Sequence, residues 1–159
     1  MKPTLEQRLA EQGLTLPNID LQTKMIDRAK RFGNVVYVSG HVPTDADGKL
    51  ALAGQVGKDV TVEAAREAAR LCVVNCLASV EKLLGSLDAI QEVLRVRVFV
   101  SCTPDFDRQA DVANGATELL LALFGPAGRH TRTAIGCPSL PVNAAVEVDM
   151  SLALSSASQ

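Results

Sequence analysis

The chain has 159 residues and a formal net charge of -2, with 47% apolar and 21% charged side chains. That length predicts one domain able to bury about two thirds of its unfolded surface without a staple, and the ordinary charge fraction excludes a disordered chain. Four phenylalanines, one tyrosine, no tryptophan and a slightly acidic balance offer neither the cationic surface nor the stacking platform of a nucleic-acid binder, so no nucleic-acid partner is expected.

The opening MKPTLEQRLAEQGLTLP carries early acidic residues and no apolar run of signal length, so a cytoplasmic location is expected. Within it, Thr4 caps a short helix with Leu5 and Leu9 on one face and Gly13 as its stop. A TLPNID connector and an ambiguous stretch, LQTKMIDRAKRFG, lead to the β-branched strand NVVYVSG. Pro43 and TDADGK then predict a hairpin loop toward LALAG. From Val62 to Leu84, Ala65, Ala69, Cys72, Cys76, Val80 and Leu83 share one side, between Thr61 as cap and Gly85 as terminator; this is the main helix.

EVLRVRVFVSC alternates, with Leu94, Val96, Val98 and Val100 opposite Arg95, Arg97, Phe99 and Ser101. TPDF predicts a second long helix, with Thr103 as cap and Pro104 in its first turn, running to Gly125. Its longest aliphatic run, LLLALF, is too short to cross a bilayer, and no membrane partner is expected. Asn114-Gly115 falls inside that helix and predicts a break or a close backbone approach. HTRTAIGC and AAVEVDMSL are two strands joined by PSLPVN. The order β-β-α-β-α-β-β is that of an α+β domain, a mixed sheet with two helices on one face. A short tail, SSASQ, is expected to fray.

Cys72, Cys76, Cys102 and Cys137 lie in apolar segments without zinc-site spacing, and they read as reduced thiols. No Ser/His/Asp order, phosphate loop or metal cluster stands out, so neither a metal nor a cofactor is expected; GHVPTDADGK lacks the later ligands of a calcium loop. His41 and His130 could each shuttle protons, but without an identified carboxylate partner the structural reading is favoured.

In the last strand Val146, Val148, Met150 and Leu152 share the helix side, leaving Glu147, Asp149 and Ser151 on the other. Alternation by itself places Arg132 most economically on the face of Glu147, with Arg95 and Arg97. Such a pair is either an ion pair at a subunit contact or part of a ligand site, and spacing alone does not choose.

VVYVSGHVPTDADGKL, ARLCVVNCLASVEKLLGSLDAIQEVLRVRVFV, PDF, NGATELLLALFGPAGRHTRTAIG and LPVNAAVEVDM together resemble the RidA family, also called YjgF or liver perchloric-acid-soluble protein, from about Gly33 to Leu154. The pattern is closest to a longer branch with an N-terminal extension, here residues 1-32. The resemblance implies a chorismate-mutase-like fold assembled as a homotrimer with clefts between subunits. It also implies hydrolysis of reactive enamines and imines such as 2-aminoacrylate to 2-keto acids and ammonia. On that resemblance Arg132 binds the substrate carboxylate, Glu147 orients or activates water, and Ser39, Gly40 and Asn114 border the cleft. The alternatives are a trimer that binds a small keto or amino acid without chemistry, and an endoribonuclease. Three positions depart from the pattern: no proline-tyrosine pair precedes the first strand, Ala134 replaces a common cysteine, and His41 replaces a glutamine.

Overall fold

The computed structural model describes residues 3–156; of the tail expected to fray, residues 157–159 lie outside the described part. Among the described residues three α-helices and five strands form: α1 (Leu5–Glu11), β1 (Ala29–Phe32), β2 (Val35–His41), α2 (Val62–Leu84), β3 (Ile90–Ser101), α3 (Gln109–Phe124), β4 (Thr131–Cys137) and β5 (Val146–Leu154). The sheet order is β1-β2-β5-β3-β4, antiparallel throughout except for the parallel pair of β3 with β4.

Helix ends fall where their capping chemistry lies. Thr4 accepts from the Gln7 amide while the Gln7 side chain accepts from the Thr4 amide, closing a capping box. Thr61 accepts from Ala64, and Gly85 ends α2 in the left-handed region at φ 77°. α3 starts later than Thr103 predicts, at Gln109. Tertiary pairing holds the intervening residues: Cys102 donates to the Cys137 carbonyl and Thr103 to that of Val56, so 103–106 close a turn instead of a helical one.

The first hairpin also differs from expectation. The partner of β2 is AKRF, inside the ambiguous stretch, whereas LALAG makes only isolated bridges, Thr44 with Leu50 and Ala53 with Ala144. AKRF alternates weakly, with Ala29 alone buried, because an edge strand needs only one apolar contact to the core.

α2 and α3 cover one face of the sheet. Val96, Val98 and Val100 from β3 and Val146, Val148, Met150 and Leu152 from β5 point to that side and are buried with Cys72, Cys76, Leu119, Leu120 and Leu123. Leu5 and Leu9 of α1 join the same core. Each such aliphatic side chain contributes about 1.5–3 kcal/mol on burial. α2 and α3 approach closely at Gly115, where a Cβ would overlap the Arg66 carbonyl. The helix runs unbroken there, so Asn114-Gly115 marks a backbone approach.

No helix of the described residues covers the other face. Phe32 is 80% exposed, Tyr37 57% and Ile135 49%, beside Phe99, Arg97, Glu147 and Asp149.

Candidate functional site

Arg132 stands on β4 opposite Val96 of β3, which is opposite Met150 of β5. Cross-strand partners share a face, so Arg132 points to the helix side. Glu147 is opposite Phe99, which is opposite Ile135, and points to the helix-free side. The expectation that the two share a face is therefore corrected. β4 does not lie beside β5; it pairs with β3 in a parallel register, and alternation within one strand says nothing about phase across a loop of eight residues (138–145). Arg95 and Arg97 do lie on the Glu147 side, opposite Ser151 and Asp149.

At the edge of the helix layer, Arg132 Nη1 donates to Asn114 Oδ1 at 2.9 Å and to Thr117 Oγ1 at 3.1 Å. Asn114 and Thr117 are three apart on α3 and face the strand together. His130 completes the cluster, with Nε2 3.1 Å from Thr117 Oγ1 and Nδ1 2.6 Å from the Gly128 carbonyl. Among the described residues nothing pairs with Arg132 Nε or Nη2. Thr117, Leu121, Arg129, His130 and Arg132 line a cavity of about 180 Å³ that contains no acidic side chain. Burial lowers the His130 pKa, the Gly128 hydrogen bond opposes this, and the Arg132 charge lowers it further.

On the open face, Ser39 and Gly40 form a bulge in β2, two residues set against one between the pairs Val38 with Met150 and His41 with Val148. Glu147 lies over it: a Cβ on Gly40 would overlap Glu147 Oε1, so glycine leaves room for the carboxylate in this position, and a larger residue would displace it. Half-buried, Glu147 accepts no hydrogen bond from a described residue. Burial raises its pKa, and the Asp149 charge adds to the rise. The Ser39 hydroxyl donates to the Asp27 carbonyl at 2.8 Å, which fixes the bulge against the segment before β1. Asp149 is held by Arg97 through two bonds, Nε to Oδ1 at 2.8 Å and Nη2 to Oδ2 at 2.6 Å, with the guanidinium over Phe99.

The expected site residues thus fall into two groups, Arg132 with Asn114 on one side and Glu147 with Ser39 and Gly40 on the other. His41 is buried in neither, its ring between the Ser39 carbonyl at 2.6 Å and Ser79 Oγ at 2.7 Å. Burial pushes the thiols of Cys72 and Cys76 well up, which leaves them unreactive. Thr117 and His130 escaped the sequence reading as partners of Arg132. The available signals were the three-residue spacing of Asn114 and Thr117 and the two-residue spacing of His130 and Arg132, each weak without the packing of α3 on β4.

The family described as "YjgF/chorismate_mutase-like, putative endoribonuclease" matches residues 6–154. The chain belongs to the YjgF family. The match begins at residue 6, within α1, ahead of the boundary near Gly33 that the motifs suggest. Protein TCP17 of Trypanosoma cruzi is 42% identical over 118 residues, covering 74% of this chain and 73% of that protein. Atu1372 of Agrobacterium tumefaciens, a protein with unknown function, is 42% identical, superposes with a TM-score of 0.89, and covers 95% of this chain and 92% of that one. A "putative endoribonuclease" of Shewanella oneidensis is 31% identical with a TM-score of 0.89, over 96% and 100% of the two chains. Escherichia coli TdcF with bound serine shares the YjgF fold at 18% identity and a TM-score of 0.60, over 98% and 100%. The α+β architecture, a mixed five-stranded sheet with helices on one face, is that of the family. No helix among the described residues is long and apolar enough to cross a membrane.

Proposed function

We propose that this protein hydrolyses small carboxylate-bearing imines and enamines of the 2-aminoacrylate type to 2-keto acids and ammonia. The observation that carries this reading is the state of Arg132, clamped by Asn114 and Thr117 at one nitrogen and free along its Nε–Nη2 edge. A planar carboxylate meets such an edge with two parallel hydrogen bonds, each contributing about 1.5–3 kcal/mol before desolvation costs. The E. coli TdcF structure holds serine, a ligand of the size and charge that this edge would take.

The chemistry needs few further groups. An enamine gains a proton at carbon and loses one at nitrogen to become the imine; water then adds to the imine carbon while a proton passes to nitrogen. Collapse of the resulting carbinolamine expels ammonia and leaves the keto group, with one water consumed. Glu147 suits the water-activating step, because its raised pKa brings a carboxylate closer to the range where it exchanges protons near neutrality.

Arg132 and Glu147 of one chain face opposite sides of the sheet, so the reading requires two copies. In it, the chain assembles as a homotrimer, and each cleft pairs Arg132 and Asn114 of one copy with Glu147, Ser39 and Gly40 of the next. The exposed Phe32, Tyr37 and Ile135 on the helix-free face support burial of that face against another subunit.

Generating 2-aminoacrylate with a pyridoxal-phosphate dehydratase and following keto-acid release tests the proposal. Wild type should accelerate release; Glu147→Gln should slow it by roughly 10²- to 10⁴-fold while pyruvate still binds. Acceleration absent from wild type, with keto-acid binding intact, would favour a binding protein that uses Arg132 without Glu147. RNA cleavage without either small-molecule property would favour the endoribonuclease of the family description.

A further inference from the structure

We infer that Thr117 and His130 are positioning residues for the carboxylate anchor, acting through a hydrogen-bond chain of fixed polarity that presents the Nε–Nη2 edge of Arg132 to its ligand. The inference rests on the reading of Arg132 as that anchor and adds two residues to it.

The polarity follows from one short contact. His130 Nδ1 lies 2.6 Å from the Gly128 carbonyl oxygen; two acceptors do not approach so closely, so Nδ1 carries the proton. In the neutral ring Nε2 is then a bare acceptor. Thr117 Oγ1, 3.1 Å away, has one proton and donates it there. A threonine within a helix more often gives that proton to the carbonyl one turn back, and His130 draws it outward instead.

With its proton committed, the Thr117 oxygen offers only lone pairs to Arg132, whose Nη1 donates to it at 3.1 Å. The second Nη1 proton goes to Asn114 Oδ1 at 2.9 Å. A guanidinium has five N–H groups, and with both Nη1 protons spent inward, the Nε–Nη2 edge alone retains two parallel donors. The chain thus selects which edge a carboxylate meets and limits rotation of the planar group about its own axis. The ring is held neutral, as the chain requires, by burial and by the Arg132 charge, against the Gly128 hydrogen bond.

Calorimetric binding of pyruvate to the full-length protein separates this role from packing. Thr117→Val preserves side-chain shape and removes the hydroxyl; it should weaken pyruvate binding about tenfold, while Thr117→Ser should bind within about twofold of wild type. His130→Asn should weaken binding several-fold. In the imine assay Thr117→Val should raise KM with kcat largely kept, the signature of weakened carboxylate binding. Urea midpoints of the Val and Ser variants show whether both fold. Pyruvate affinity in Thr117→Val equal to wild type, or equal losses in Val and Ser, would overturn the inference. If Arg132→Gln abolishes binding and Thr117→Val leaves it unchanged, the positioning role alone falls. If Arg132→Gln binds as wild type, the anchor reading falls and takes this one with it.

Discussion

Gly40 and Glu147 form a unit in which a missing Cβ makes room for a carboxylate. Burial and Asp149 raise the Glu147 pKa, so the ionised form a base needs becomes the major one at a pH above the usual glutamate value near 4.3. The acid limb of kcat/KM should therefore lie above that value and disappear in Glu147→Gln, as read from a pH–rate profile.

The histidines act on stability in the opposite sense to a paired cation. Burial lowers His41 first, the Ser39 hydrogen bond opposes it, and the Arg28 charge lowers it further. A histidine whose folded pKa lies below its unfolded value near 6.5 contributes stability that is present above that value and lost as pH falls toward the folded pKa. Urea midpoints should be level from about pH 7 to 8 and decline below about 6.5, with the decline reduced in His41→Gln.

Among the elements, α3 contributes most to the surroundings of Arg132. Its N-terminus waits for the turn at 103–106, its Asn114 and Thr117 hold Arg132, and its Gly115 meets the Arg66 carbonyl of α2. Gly115→Ala would gain helix propensity of about 1 kcal/mol yet force the two helices apart. Overpacking of a fixed backbone costs about 1–3 kcal/mol, so the net effect expected in urea unfolding is a loss. α2 was legible to its ends because caps and periodicity agree there. β1 was not, since AKRF has one buried residue and gains its strand identity from pairing with β2.

At the scale of the whole molecule, the helix-free face decides how the two halves of the proposed site can be used. Ile135 lies there, opposite Phe99 and in line with Glu147. In the proposed trimer, Ile135→Glu should shift sedimentation toward the monomer, because an unpaired charge would enter a subunit contact. Complementation gives a sharper test. Arg132→Gln and Glu147→Gln, each inactive alone, should regain activity when unfolded together and refolded as mixed trimers. Random mixing around a closed ring restores about a quarter of the clefts. No recovery from well-folded mixtures would place both groups in one copy's site or in none.

Alternation, caps and composition were enough to determine the α+β class, the two sides of β5 and of β3 from Val96 to Val100, and most of the apolar core; a bulge at Val93–Arg95 puts Val93, where alternation placed Leu94, on the helix side. Those properties depend on residues within a few positions of one another, where periodicity is strict. The ordered motifs added the family and the choice of Arg132 and Glu147 as candidates. Tertiary structure alone decided that β4 runs parallel to β3, which turns Arg132 toward α3 and away from Glu147. It alone joined Thr117 and His130 to the guanidinium. The phase of one strand against another is set by backbone pairing across the sheet, and a one-residue change in register would have reversed the face of Arg132 without altering a letter of the chain.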